Sequence, residues 1–370
     1  MNSVPGNRAP IPAYQQQDTL FAPAFELLQQ AIAARDFPAA SVAITYRGNL
    51  AALKAFGHFT YEAKSPATTI ETVFDLASLT KVVATTSMAM ILYERGLLDL
   101  DLPVVAVVAE FAGEDPRRDA VTLRMLLTHS SGLPAYEKLF LRAKTRDELV
   151  SAAFTTPLAA DPSAKAEYSD IGFIILGVAL ERIAEESLDR FCQHEVFGPL
   201  AMTHTAFNPP LAWRPSIPPT ANDQSFRHRI IQGEVQDENA SVMGGVAAQA
   251  GLFASAGDVV IFGHAMLSGG CSILRPETVT LFTWRESSPP DTSRALGWDT
   301  PSSPSQSGKY FSSRSFGHLG YTGTSLWIDP DRQLSITLLT NRTWPDCKNE
   351  AIKQLRPKFH DAVVESLDCT

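Results

Sequence analysis

The segment FDLASLTKVVATTSMAM, Phe74 to Met90, sets a serine and a lysine three residues apart on an otherwise apolar run. On a helix beginning near Ser78, that serine and Lys81 share one face about one turn apart, with the hydroxyl at the positive end of the helix dipole. Leu79, Val82, Val83, Ala84, Met88, Met90 and Ile91 make such a helix apolar nearly all round. Burial there disfavours the ammonium form, lowers the lysine pKa and leaves an amine able to take the serine proton. The plainer alternative is a surface lysine on the one polar strip of the helix, since a chain of this composition holds roughly one Ser-x-x-Lys by chance. A second set, Tyr168-Ser169-Asp170, directly precedes the apolar helix IGFIILGVAL. A tyrosine beside a lysine can relay protons through a phenolate-like oxygen. Ser169 and Asp170 are equally suited to cap the helix. A third, His318-Leu319-Gly320-Tyr321-Thr322-Gly323-Thr324, leads into the strand SLWIDP. Its glycines let a backbone edge approach a ligand and offer an amide N–H to an oxyanion, or simply make a turn before an edge strand.

The elements that must position these residues fall into a simple order. A helical pattern covers about residues 20–34, and SVAITYRGNLAALKAFG then reads as two strands about an Arg47-Gly48-Asn49 turn. Near the other end, TSLWIDPDRQLSITLLTN repeats that signature about Asp329-Pro330-Asp331. Between them the spacing predicts helices over 81–95, 122–128, 146–154, 171–185, 188–196 and 256–267. The expected fold is therefore α+β: an antiparallel sheet built from both termini and flanked by helices, with a mostly helical insertion beside it. In residue terms, 20–80 and 285–370 form the sheet domain and 81–284 the inserted domain. NPPLAWRPSIPP and SSPPDTSRALGWDTPSSPSQSG are too rich in proline and serine for regular structure, and long loops of this kind often border a site.

Composition narrows the partners. A formal charge of -9 with no basic run argues against nucleic acid or an anionic membrane surface, leaving small-molecule substrates. Cys192, Cys271, Cys347 and Cys369 are far apart and make no ligand-spaced cluster, so free thiols are expected and neither metal nor cofactor is indicated. The opening MNSVPGNRAPIPAYQQQ is polar and proline-bearing, unlike a secretory signal, and no apolar run reaches the roughly 18 residues of a membrane span. The chain as given thus reads as cytoplasmic, or as periplasmic or secreted if a leader had been removed.

Taken together and in this order, Ser78 to Lys81, Tyr168 to Asp170 and His318 to Gly320 resemble the SxxK, YxN and KTG boxes of the serine β-lactamase and penicillin-binding protein superfamily. LRMLLTHSSGLP, GGVAAQAGLFASAGD and LLTNRTWP resemble its class C and family VIII esterase branch, and the likeness runs from about residue 20 to the end. GEVQDENA, with the YSD box, looks most like low-molecular-weight penicillin-binding D,D-carboxypeptidases. The resemblance implies a β-lactamase-like fold, Ser78 as nucleophile, Lys81 and Tyr168 as proton relay, and the N–H groups of Ser78 and Tyr321 as oxyanion hole. It also places Tyr136, Asp170 and His318 at the substrate, with Gly320 and Arg342 as further candidates from the residues themselves.

Three departures bear on substrate. Asp170 stands where many relatives carry asparagine, Tyr136 where class C enzymes carry an amide-binding glutamine, and His318 in place of a lysine that would hold a carboxylate. The expected function is a serine hydrolase that forms an acyl-enzyme on esters or amides, with carboxylesterase activity. A D,D-carboxypeptidase or penicillin-binding protein, a β-lactamase, and a catalytically silent peptide or lactam sensor are the alternatives. His129 is read as satisfying backbone at a helix end, and Asp99 and Asp101 as a helix exit. Arg342 is read either as reaching an anionic substrate group or as a solvated surface residue.

Overall fold

The computed structural model describes residues 9–369, so the first eight residues of the polar amino-terminal stretch lie outside the described part. Strands Ala39–Tyr46 and Asn49–Gly57 pair antiparallel in register Tyr46↔Asn49. Their two-residue turn has positive φ at both positions, 48° at Arg47 and 82° at Gly48, the geometry whose twist matches the flanking strands. Strands Ser325–Asp329 and Leu334–Thr340 form the second hairpin. There the Asp329 carboxylate accepts the N–H groups of Asp331 (3.0 Å) and Arg332 (3.2 Å) and so fixes the reversal. Strand Leu334–Thr340 pairs antiparallel with Ala39–Tyr46, which joins the two chain ends in one sheet. Across that six-stranded sheet the order is Ile11–Pro12, Asn49–Gly57, Ala39–Tyr46, Leu334–Thr340, Ser325–Asp329 and Phe316–Leu319, all antiparallel except the first pair.

The two faces of the sheet bury different cores. Helices Ala22–Ala33 and Ile352–Asp368 cover one, over Val42, Ile44, Trp327, Ile336 and Leu338. Helix Ala256–Leu267, which belongs to the segment expected as the helical insertion, covers the other. There Ala43, Leu326 and Ile328 join a core that continues into Val82, Val83, Ile174 and Ile175 of the helical part. A smaller sheet of Val73–Asp75, Leu252–Ser255 and Thr205–Phe207 delivers the chain to Ser78.

Helices Arg146–Phe154 and Ala256–Leu267 form where the periodicity puts them, and Asp170–Ala184 begins one residue early. Other features differ from the sequence expectation, among them the helix expected over 188–196, which is an α-helix at Leu188–Cys192 followed by a π-helical turn at Gln193–Phe197. The single helix expected over 81–95 is a 3-10 turn at Ala77–Leu79, a π-helical turn at Lys81–Thr86 and an α-helix at Ser87–Glu94. In the widened turn the Ser87 hydroxyl donates to the Val82 carbonyl five residues back (3.2 Å), and such turns concentrate at functional sites. Helices Pro276–Thr283 and Ile352–Asp368 were not anticipated; in the latter, Pro357 and a polar exposed face mask the stripe Ile352, Leu355, Phe359, Val363 and Leu367. The three-residue strands are too short to show a period. Among the described residues no helix is long and apolar enough to cross a membrane.

Candidate active site

The turn that carries Ser78 is built by an aspartate. Ala77 has φ 47°, a left-handed conformation costing an L-residue about 1 to 2 kcal/mol. It is held by the buried Asp75 carboxylate, which accepts the N–H of Ala77 (2.8 Å) and, on its other oxygen, that of Gln236 (2.7 Å). Burial pushes the Asp75 pKa up to about 6, against the pull of those N–H groups. Thr80 Oγ1 accepts the Leu252 N–H at 3.1 Å, so both sides of Ser78 are tied down while the serine itself is half-buried.

Two side chains meet on Ser78 Oγ, the Tyr168 hydroxyl at 2.7 Å and Lys81 Nζ at 3.1 Å. The plain surface-lysine alternative is thereby excluded, because Lys81 is fully buried. Its charge state, however, is the reverse of the expectation. Burial alone lowers its pKa, but the charge of Asp170, helped by Tyr168 and by polar contacts of the ammonium with both, raises it above the ordinary value. The cause is an ion pair of 2.6 Å to Asp170 Oδ1. Lys81 Nζ also donates to Ser78 Oγ (3.1 Å) and to the Gln249 carbonyl (2.9 Å). The expected phenolate-like tyrosine is corrected likewise: burial, then Asp170, push Tyr168 up to about 12, so the resting phenol is neutral.

Asp170 is the first residue of its helix, while Ser169 is the cap, accepting the Gly172 N–H (3.0 Å) and donating to the Pro134 carbonyl (2.7 Å). His129 has the structural role expected of it. Its Nδ1 accepts the Ser169 N–H (3.0 Å), and its ring packs 4.7 Å from that of Tyr168. Burial keeps its pKa well below the ordinary histidine value.

The third box is a clamped turn. Gly320 N–H donates to the Thr324 carbonyl (2.8 Å), Thr322 Oγ1 to the Asp75 carbonyl (2.7 Å) and Thr324 Oγ1 to the Leu76 carbonyl (2.9 Å). The turn is thus fixed to the segment that carries Ser78. Arg356, from helix Ile352–Asp368, donates to the carbonyls of Gly320 (2.9 Å) and Thr324 (3.0 Å). The amide N–H groups of Ser78 and Tyr321 have no acceptor within the described protein, as an oxyanion hole requires.

Two of the expected substrate residues sit elsewhere in the logic. Gly320 is buried, and a Cβ there would stand 2.5 Å from the Leu76 carbonyl oxygen, so its smallness serves the approach of two backbone segments. Arg342 is buried and donates to the carbonyls of Tyr321 (2.6 Å), Cys347 (3.2 Å) and Asn349 (3.2 Å), bracing the turn from behind. Tyr136 is 38 % exposed, on a loop bound to the second box through Asp170 N–H to Ala135 O (2.9 Å). Burial, then Asp237, Glu238 and Asp170, raise its pKa. His318 lies beside Tyr168, ring centres 6.0 Å apart. Burial, then Lys81 and Arg294, hold it well below the ordinary histidine pKa, so it is neutral and brings no fixed charge.

Arg294, Asp237 and Gln249 escaped the sequence reading. The Arg294 guanidinium lies 5.7 Å from the Tyr168 ring centre, with Asp299 as its carboxylate neighbour at 3.7 Å. It comes from the Pro- and Ser-rich loop that the sequence marks as bordering a site. Asp237 caps helix Glu238–Val242 through the Ala240 N–H (2.7 Å), receives Gln249 Nε2 at 3.4 Å, and is raised to about 7 by burial and then by the charge of Asp170. Its sequence signals are the pattern Asp-x-x-Ala at a helix start and its place in the stretch GEVQDENA. Among the described residues no group of three His, Cys, Asp or Glu side chains is placed to hold a metal ion.

Residues 25–356 match the Beta-lactamase family. The chain is 33% identical over 331 residues to a protein of Escherichia coli (strain K12) named "Putative D-alanyl-D-alanine carboxypeptidase", covering 81% of this chain and 76% of that one. It is 32% identical over 354 residues to the N-acetylmuramyl-L-alanine amidase of Bacillus subtilis (strain 168), covering 86% and 80%. Among solved structures, EstCE1, a hydrolase with promiscuous acyltransferase activity, superposes with a TM-score of 0.76 at 22% identity over 94% of this chain and 99% of that one. A penicillin-binding protein homologue from Caulobacter crescentus does so with a TM-score of 0.75 at 18% identity, over 94% and 97%. The fold is β-lactamase-like, and the chain belongs to the beta-lactamase family. It is a serine hydrolase.

Proposed function

We propose that the protein hydrolyses small esters or amides through an acyl-enzyme on Ser78. The observation that carries this is the convergence of the Tyr168 hydroxyl (2.7 Å) and Lys81 Nζ (3.1 Å) on Ser78 Oγ. Ser78 Oγ attacks the carbonyl carbon, its proton passes to the Lys81 and Tyr168 pair, and the N–H groups of Ser78 and Tyr321 take the developing oxyanion. The same pair returns the proton to the leaving group, and water then repeats the sequence on the acyl-enzyme.

Short neutral esters are the preferred substrates in this reading, because Tyr136 and Asp170 replace amide-binding side chains and His318 is uncharged. Two or three lost substrate hydrogen bonds at about 1 to 3 kcal/mol each lower lactam turnover by several orders of magnitude. Ester cleavage is spared, since it needs only the nucleophile, the relay and the oxyanion hole. One observation favours a second reading, D,D-carboxypeptidase activity: Arg294 supplies, from another loop, a cation beside Tyr168 that suits a carboxylated leaving group. Relatives bearing that name point the same way. The test compares kcat/KM for p-nitrophenyl butyrate, nitrocefin and a peptide ending in D-Ala-D-Ala. Ester turnover far above nitrocefin is expected. Nitrocefin turnover equal to or above that of the ester overturns the first reading, and efficient D-alanine release establishes the second.

A further inference from the structure

Lys81 sits in a shell that favours its charged form. Asp170 Oδ1 is in contact at 2.6 Å, and the Gln249 carbonyl takes a second donor at 2.9 Å. The rings of Tyr168 and Phe173 lie 4.9 and 5.4 Å from Nζ. Asp237 interacts with the same charge from the loop before helix Glu238–Val242, and His129 and His318, both held neutral by burial, are its other titratable neighbours. Arg294, packed on Tyr168, is the opposing cation. As an ammonium ion Lys81 has no lone pair to take the Ser78 proton.

We propose that Asp170 sets the working pH of the nucleophile, by holding Lys81 as the ammonium ion so that acylation proceeds from the form that has lost one proton. The inference rests on the reading of Ser78 as nucleophile. In the deprotonated form the Ser78 Oγ–carbonyl bond forms while the serine proton moves to neutral Lys81 Nζ, directly or through Tyr168. The resulting ammonium gives that proton to the leaving alkoxide as its bond to carbon breaks. Lys81 thus starts and ends each half-reaction neutral. An opposite charge at contact distance moves such an equilibrium by about 1 to 3 pH units. Asparagine in that position would leave the amine hydrogen-bonded but without its counter-charge, and burial would then favour the free base. Asp170 is therefore a positioning residue that acts through Lys81.

The experiment is the pH dependence of Ser78 acylation by p-nitrophenyl butyrate, followed by p-nitrophenol release and by intact mass, in wild type and in Asp170→Asn. The wild-type acidic limb is expected on the alkaline side of neutrality, and the limb of Asp170→Asn at least one unit lower, giving the variant the greater share of its plateau rate at pH 6. A limb that stays in place or moves to higher pH overturns the proposal. If circular dichroism shows Asp170→Asn unfolded, Asp237→Asn decides, with a smaller shift in the same direction expected and an unmoved limb fatal. Wild type that forms no Ser78 adduct at any pH removes the nucleophile reading itself, an outcome the mass measurement separates from an unmoved limb.

Discussion

At Ser78 the proposed mechanism turns on distance, since 2.7 Å to a phenol and 3.1 Å to an amine bring three side chains within reach of proton transfer. Groups that act as a unit are not additive when removed. Ser78→Ala is expected to lower kcat for p-nitrophenyl butyrate by about a thousandfold or more with the fold retained. The Lys81 variant needs more care than its sequence context suggests. Lys81→Met alone leaves the Asp170 carboxylate without its partner, at a cost of about 3 to 5 kcal/mol for a buried pair. The informative protein is Lys81→Met/Asp170→Asn, with near wild-type thermal stability and a kcat as low as that of Ser78→Ala. Activity within tenfold of wild type in that double variant would make Lys81 a bystander. The chemistry-bearing residue types were legible in the sequence because each box is contiguous. The protonation state was not, because the partner that sets it lies 89 positions away in the chain.

At the scale of elements, the third-box turn depends on a helix that sequence reasoning overlooked. Arg356 sits on the buried stripe of Ile352–Asp368, and among the described residues it has no carboxylate partner, so its charge serves the carbonyls of Gly320 and Thr324. Arg356→Met is expected to loosen the Tyr321 N–H without touching Ser78. Loss of one oxyanion donor costs about a hundredfold to a thousandfold in kcat, so its misplacement should cost about ten- to a hundredfold with KM changed less than twofold. Steady-state kinetics on the ester check this, and an unchanged kcat would mean that Thr322, Thr324 and Arg342 hold the turn alone. The sequence showed Pro357 and a run of charges there, and the apolar positions between them carry the helical period only when the carboxyl-terminal segment is laid on the sheet.

For the whole molecule, closure of the sheet by both chain ends couples stability to buried histidines. His360 is fully buried between the Pro- and Ser-rich loop and strand Ser325–Asp329, with Nδ1 at 3.1 Å from the Gln306 carbonyl and Nε2 at 3.5 Å from Ser325 Oγ. Burial pulls its pKa down to about 3. Between that value and the unfolded one near 6.5, the unfolded chain binds the proton that the folded state excludes, so stability falls as the pH drops through this window. At about 1.4 kcal/mol per pH unit, His360 alone withdraws about 2 kcal/mol at pH 5 relative to neutral pH. Asp75 and Asp237, raised to about 6 and about 7, act in the opposite sense, gaining stability as the pH falls toward 4. Urea unfolding at pH 5 and 7.5 should therefore show a smaller loss on acidification in His360→Gln than in wild type, even where the variant is the less stable at pH 7.5. Equal losses in the two proteins would refute this account of His360.

The sequence by itself determined the candidate residue types of the three boxes and the strands and apolar helix that lie beside them in the chain. Period-two strands at both ends, an apolar helix behind Lys81 and Gly-rich turns are local patterns, fixed by side chains close together in the chain. Tertiary structure decided what each group does when buried beside another. Asp170 became the counter-ion of Lys81, Gly320 a point with no room for a side chain between the turn and the Leu76 carbonyl, and Arg342 a brace for the Tyr321 carbonyl at 2.6 Å. Arg294 entered the site from a loop with no periodic signal. Charge, desolvation and donor counts depend on neighbours that only the folded chain brings within a few ångströms.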